Sequence, residues 1–380
     1  MTDCTGSTKS AGGLADVVAG ETSISTVGKQ GRGLSYRGYA IEDLAAHAGF
    51  EEVAFLLLYG ELPDRRALTE FRRRAARLRE LPEGVKALLE RLPETSHPMD
   101  VLRSGVSVLG CLEPEHGFER QETVAERLLA ALPAMLLYWY ARHRRGVRID
   151  TDDDPDGYDS AVGFLRMLHG ESSPELQRHA LEVSLILYAE HEFNASTFAA
   201  RVTASTRADF HSCITTAIGT LRGPLHGGAN EAAMAFLETL PDPDAAEAAV
   251  LAELRAHRRV MGFGHRVYRE SDPRSVLIKP WSRRLAADAG ADTLFAVSER
   301  IEQVMWREKR LFPNLDFYSA SLYHFLGIPT ALYTSVFVCA RMAGWAAHVI
   351  EQRRADRLIR PLARYIGPLE RAFVPLGERG

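Results

Sequence analysis

The sequence predicts an all-α fold, on three observations. From Ile41 onward the apolar residues recur at helical spacing almost without a break. Proline–acid pairs punctuate that pattern as helix starts or breaks. Strand signals are confined to one short stretch near the N-terminus, so the core has to form by packing helix on helix.

Taken in order, residues 1–13 are polar and glycine-rich and read as a disordered tail. Val17 to Tyr39 holds β-branched residues, several glycines and the pair Thr22/Ser23, which predicts one short hairpin. Ile41, Leu44, Ala45 and Ala48, then Val53, Ala54 and Leu57, keep helical spacing. Pro63-Asp64, Pro82-Glu83 and Pro93-Glu94 mark starts or breaks. Residues 146–160 read as an acidic loop, followed by helices over about 160–169 and 173–189. Pro241-Asp242-Pro243-Asp244 separates two more helices. The stretch from Gly262 to Arg274 has too many glycines and prolines to be one helix. The most apolar run, about 331–350, contains Arg341 and His348, which predicts a buried core helix and not a membrane span. No internal repeat stands out.

Bulk properties narrow the function classes. The 380 residues suffice for one large domain or two and can bury a sizeable core. Apolar residues are 46% and charged residues 25%, ordinary values for a globular enzyme. A net charge of −4 and a pI of about 6.4 give no global basic field for nucleic acid or an anionic membrane. The arginine-rich stretches 72–79 and 142–148 read as solvated surface. Cys4, Cys111, Cys213 and Cys339 fit neither a disulfide framework nor a zinc motif, which points to a reducing, cytoplasmic setting. The first residues contain no apolar signal region.

The chemistry-bearing residues lie in four segments of the last half. Asp316 sits in Pro313-Asn314-Leu315-Asp316-Phe317-Tyr318-Ser319. Burial in that apolar setting raises a carboxyl pKa and makes a stronger base. A helix N-cap or a buried salt-bridge partner is the bland alternative. His226, in Gly223-Pro224-Leu225-His226-Gly227-Gly228, precedes a helix start near Asn230. A helix N-terminus disfavours imidazolium, so this histidine stays neutral and can donate a hydrogen bond. It could also be a core histidine with a satisfied bond. His265 follows Gly262-Phe263-Gly264, a tight loop able to bring side chain and backbone to a ligand. His191-Glu192 stands at a helix end and is open to a structural or a functional reading. Arg341 interrupts an apolar helix and needs a partner, either an internal acid or a ligand carboxylate.

Neutral donors, a carboxylate base and arginines are what joining a thioester to a keto acid requires. The three histidines lack metal-ligand spacing, so no metal is expected. There is no Walker loop and no dinucleotide fingerprint.

In order and wording these segments resemble the citrate synthase family, over about Gly13 to Val374. The resemblance implies a two-domain helical fold: a tail over 1–13, a large domain from 14–222 plus 328–380, and a small domain over 223–327. It implies condensation of an acyl-CoA with oxaloacetate and hydrolysis of the thioester, with coenzyme A thioester as substrate and no cofactor. Asp316 would be the base, His226 the donor to the enolate, and His265 the group that activates the keto carbonyl. His191, Arg274, Arg341 and Arg360 would bind oxaloacetate, with Arg360 reaching the partner's site in a homodimer. Gly262, Phe263, Gly264 and Arg269 would meet coenzyme A, Arg269 pairing with phosphate. The wordings at 304–313, 271–282 and 359–368, with Ala320, lean to the methylcitrate-forming members, which use propionyl-CoA. Phe317-Tyr318 is shared with members that use acetyl-CoA. The chain length leaves no room for the extra domain of the hexameric, NADH-inhibited members. A silent paralogue used for binding is the alternative from another class. The intact His226, His265, Asp316 and arginines argue against it.

Overall fold

The computed structural model describes residues 14, 17–28, 33–151 and 158–379. The expected tail over 1–13 and the middle of the acidic loop, 152–157, lie outside them. Strands β1 (Ser25–Val27), β2 (Leu34–Tyr36) and β3 (Tyr39–Ala40) form a small antiparallel sheet in that order. β1 and β2 make the expected hairpin, with Ser25 opposite Tyr36. The third strand was not foreseen. Arg37 and Gly38 both take positive φ, 48° and 90°, and this two-residue turn folds the chain straight back.

Helices account for most of the rest. They are α1 (Ile41–His47), α2 (Phe50–Tyr59), α3 (Arg65–Arg77), α4 (Glu83–Arg91), α5 (Pro98–Leu112), α6 (Gln121–Arg144), α7 (Ser160–His169) and α8 (Glu175–Tyr188). There follow α9 (Ala195–Ser205), α10 (Phe210–Leu221), α11 (Ala229–Leu237), α12 (Pro243–Arg255), α13 (Pro273–Asp288), α14 (Asp292–Lys309), α15 (Leu315–Phe325) and α16 (Tyr333–Ala355). Short polar side chains start many of them. Asp64, Asp159, Asn194, Asp209, Asp242, Asp272 and Asn314 each accept a backbone N–H of the first turn. Such a cap contributes about 1 kcal/mol.

The core is built around α6 and α16. Both are buried along nearly their whole length, and they pack on each other. α16 also lies against α2, α8 and α9. Its run from Ser335 to Ile350 places Trp345 and Met342 fully inside, and each such apolar side chain contributes roughly 1.5–3 kcal/mol. Among the described residues no helix is long and apolar enough to cross a membrane.

The segment 223–327 contains α11 to α15, which pack largely on one another, α12 on α14 and α13 on α15. α13 and α15 also touch α8, and α11 touches α16. Past α16 the chain from 357 to 379 runs exposed, with one short helical turn at Leu376–Glu378. One surface expectation is corrected: Arg79 is buried, 2% exposed, beside the Tyr158 ring.

Candidate active site

Two chain turns and two helix starts bring the singled-out residues together. The first turn follows α8. Tyr36 donates its hydroxyl to the Glu190 carbonyl at 3.0 Å, and Ser25 Oγ accepts the Glu192 N–H at 3.1 Å. Arg341 Nε donates to the Tyr188 carbonyl at 2.6 Å, and the Gly344 N–H to that of Ala189 at 3.1 Å. The small sheet and α16 thus fix the strained turn, in which Glu192 has a φ of 52°.

Asp316 occupies the second position of α15. It is not the N-cap, a role taken by Asn314, whose side chain accepts the Asp316 N–H at 3.0 Å. Tyr188 donates its hydroxyl to Asp316 Oδ1 at 2.6 Å and accepts from Ser319 Oγ at 2.7 Å. Oδ2 takes no hydrogen bond among the described residues. Burial raises the Asp316 pKa above the usual carboxylate range, against the pull of Tyr188 and Arg274.

The loop 261–268 is clamped beside this helix start. Gly264 N–H donates to the Phe312 carbonyl at 2.8 Å, and Asn314 N–H to that of Gly262 at 2.9 Å. Asn314 Nδ2 adds a bond to the Gly264 carbonyl at 3.0 Å. Gly262 has a φ of +86°, and a Cβ there would lie 2.8 Å from Phe317 Cβ. Only glycine fits both demands. Phe263 packs its ring on Phe317 at 4.5 Å.

His265 Nδ1 accepts the Val267 and Tyr268 N–H groups at 3.0 and 3.3 Å. Its proton therefore sits on Nε2. His191 stacks edge-on against it at 5.0 Å and shares Nε2 with the Tyr268 hydroxyl at 3.2 Å. His226 Nε2 accepts the Ser196 N–H at 3.2 Å, which leaves its proton on Nδ1. The turn before α11 is tight: a Cβ on Gly227 would lie 2.1 Å from the Leu221 carbonyl oxygen.

All three histidines are held neutral. Burial first, then the Arg341 charge, pushes His226 down to about 4. Burial and Arg274 push His265 down to about 4, and burial with the same arginine holds His191 well below 6.5. The expected neutrality of His226 thus has a larger cause than a helix N-terminus.

Arg274 is buried and forked onto Asp272, Nε to Oδ1 at 3.0 Å and Nη2 to Oδ2 at 2.8 Å. Asp272 also takes the Leu315 N–H at 3.2 Å, so one carboxylate ties α13 to α15. Arg341 is 2% exposed and lies over the Phe337 ring at 4.6 Å. Within the chain it bonds a backbone carbonyl, and no acid makes an ion pair with it among the described residues. Arg269 is exposed at the loop end, and Arg360 lies in the exposed C-terminal segment, so the single chain does not bring Arg360 into this cluster.

Sequence reading missed Tyr188, Ser196 and Asp272 as site residues. Tyr188 lies three positions before His191 on no motif of its own, and only the contact with Asp316 reveals it. A cavity of about 410 Å³ opens beside the cluster, between Asp272, Ser275, Lys279, Glu302 and Pro313, with none of the histidines in its wall. Glu51, Asp159 and Glu182 bring carboxylates within 4.8 Å of one another elsewhere. Glu51 there already accepts the Ser160 N–H at 2.8 Å and faces Arg72 at 3.5 Å.

Residues 13–362 match the family model described as citrate synthase, C-terminal domain. The chain is 53% identical over 367 residues to the 2-methylcitrate synthase of Shewanella oneidensis, covering 97% of each. It is 41% identical to citrate synthase 2 of Bacillus subtilis, over 97% of this chain and 98% of that one. In structure it is similar to a citrate synthase of Thermoplasma acidophilum, solved as a ternary complex with carboxymethyl coenzyme A and oxaloacetate. The TM-score is 0.89 at 33% identity, over 96% of this chain and 98% of that one.

Proposed function

The chain belongs to the citrate synthase family, and on that premise we propose that it condenses propionyl-CoA with oxaloacetate to 2-methylcitrate. The single observation that carries the chemistry is the Asp316 carboxyl. One oxygen is pinned by Tyr188 while the other is free, and two neutral histidines with defined donor nitrogens stand in the same cluster.

Asp316 Oδ2 takes the α-proton of the thioester, its basicity raised by burial. His226, with its proton on Nδ1, donates to the oxygen that turns into the enolate. A neutral imidazole suits this because it gives a hydrogen bond without first losing charge to the buried site. The enolate carbon attacks the keto carbon, whose oxygen accepts from His265 Nε2–H. Water then cleaves the thioester and releases coenzyme A.

Arg341, Arg274 through its open Nη1, and His191 take the oxaloacetate carboxylates and carbonyl, since guanidinium groups match carboxylates in geometry and charge. The backbone of the loop Gly262, Phe263, Gly264 meets the coenzyme A base, and the exposed Arg269 a phosphate. The segment 223–327 moves as a small domain that closes over the bound substrates and excludes water.

A homodimer completes the site. Leu362, Ile366 and Leu369 of the C-terminal segment are each about nine-tenths exposed, an apolar surface that a partner subunit would cover. Arg360, at the head of that segment, is carried to the partner's oxaloacetate site. The free thiols Cys111, Cys213 and Cys339 support work in a reducing, cytoplasmic compartment.

The acyl group differs from acetyl by one methylene, which an apolar pocket distinguishes by only about 1–3 kcal/mol. Side activity with acetyl-CoA follows. The deciding experiment is kcat/KM for each thioester at saturating oxaloacetate, with free coenzyme A detected as thiol. Preference for propionyl-CoA supports the assignment; preference for acetyl-CoA makes the chain a citrate synthase.

A further inference from the structure

We propose that Glu190 is a positioning residue: it supplies the standing counter-charge to Arg341 from a distance, and so sets how tightly the site holds a dianion. The inference rests on the reading above that Arg341 takes a substrate carboxylate.

Glu190 is fully buried in the turn after α8. Its Oε1 accepts from Ser25 Oγ at 2.9 Å and from His348 Nε2 at 2.9 Å. The direction of the second bond is fixed. Arg201 Nη1 donates to His348 Nδ1 at 3.0 Å, so that nitrogen is the acceptor and the ring proton lies on Nε2. Arg201 is itself neutralised by Glu351 at 2.7 Å. His348 is therefore a neutral donor, and the Glu190 charge is not cancelled by it. Glu190 Oε2 has no hydrogen-bond partner among the described residues. It lies against Gly344, where a Cβ would come within 2.3 Å.

Gly344 is one helical turn along α16 from Arg341. Arg341 in turn bonds the Tyr188 carbonyl, two residues before Glu190. Cation and anion thus hold opposite ends of one short turn, outside ion-pair contact. Each favours the charge of the other: burial lowers the Arg341 pKa and Glu190 is the foremost influence raising it, while burial raises the Glu190 pKa and the His348 hydrogen bond and the Arg341 charge bring it below its ordinary value. The neighbouring arginine shows the alternative. Arg274 is forked onto Asp272 and has two of its three nitrogens occupied. A buried guanidinium needs an opposite charge. Placing it at a distance leaves the Arg341 terminal nitrogens open while keeping the empty site from being strongly cationic.

The test is Glu190→Gln. The amide oxygen still accepts from Ser25 and His348, so the turn keeps its bonds and only the charge goes. Removing a nearby negative charge should lower the oxaloacetate Kd and KM by roughly 3- to 10-fold, with kcat changed less than KM. A purely structural role leaves both constants unchanged in this isosteric variant, and that result, or weaker binding, overturns the proposal. Calorimetric titration of the wild type with oxaloacetate reads the functional assignment separately. Absence of binding there overturns the assignment and the proposal with it. Wild-type binding with an unaltered Kd in the variant overturns the proposal alone.

Should Glu190→Gln not fold, His348→Leu gives the second reading. It strips the donor that holds the Glu190 carboxyl down, so burial raises the pKa of that group. The groups acting on it are Arg341 and His348 from α16, Ser25 and Tyr36 from the sheet, and Arg37 in the turn after β2. Relative to the wild type, oxaloacetate should then bind more tightly as pH falls. A pH trend equal to that of the wild type overturns the proposal.

Discussion

Tyr188 and Asp316 are joined by a 2.6 Å hydrogen bond across 128 residues of sequence, the hydroxyl donating to Oδ1. Oδ2 of the same carboxylate takes no hydrogen bond among the described residues. The bond to Oδ1 opposes the rise in the Asp316 pKa that burial causes.

Tyr188→Phe removes the donor and keeps the ring. A hydrogen bond to a charged group contributes about 1.5–3 kcal/mol, so kcat should fall roughly ten- to hundredfold. The sign of the pH effect follows from the same bond. Tyr188 lowers the Asp316 pKa, so its loss raises that pKa further and moves the acid limb of kcat to higher pH. An acid limb that stays in place or shifts downward contradicts this role.

Asp316→Asn keeps the shape of the side chain and removes the carboxylate proposed above as the base. Turnover should drop by about 10²–10⁴ while the protein remains folded. Thiol release near the wild-type rate would show that another group takes the proton.

Gly262→Ala puts a methyl 2.8 Å from Phe317 Cβ at a φ of +86°. Strain of this kind costs about 1–3 kcal/mol. The loop carrying His265 has to shift, so KM for the acyl-CoA should rise and Tm fall. Unchanged constants would mean that the loop tolerates displacement.

Stability should weaken in mild acid. His226 and His265 titrate near 4 in the folded chain against 6.5 in the unfolded one. Above 6.5 neither state is protonated and they contribute no pH dependence. As pH drops from 6.5 towards 4, the unfolded chain takes up protons that the folded one refuses, and stability is lost. Asp316, whose pKa is raised, works in the opposite sense. His265→Gln should therefore lose less Tm than the wild type between pH 7.5 and about 5. An equal loss assigns the effect to other groups.

Removing residues 358–380 should take away the exposed Leu362, Ile366 and Leu369 together with Arg360. Sedimentation should show loss of the proposed dimer, and the oxaloacetate KM should rise. A truncated chain with an unaltered oxaloacetate KM would exclude Arg360 from the site.

The sequence by itself determined the helical fold, the run of motifs and most of the side chains that gather at the candidate site. Periodicity and proline punctuation are local properties, so the bounds of α7 and α16 were legible within a few residues. The same holds for Asp316, His226 and His265, each in a short distinctive run. Only the tertiary structure decided what holds them. Tyr188, Ser196 and Asp272 meet Asp316, His226 and Arg274 through packing of elements, and single-chain spacing carries no sign of the first two contacts. It decided the histidine protonation too. Which ring nitrogen carries the proton depends on whose backbone N–H arrives at the other. That arrival, like the charge balance around Arg341, is set by how α8, α9 and α16 pack against the small sheet.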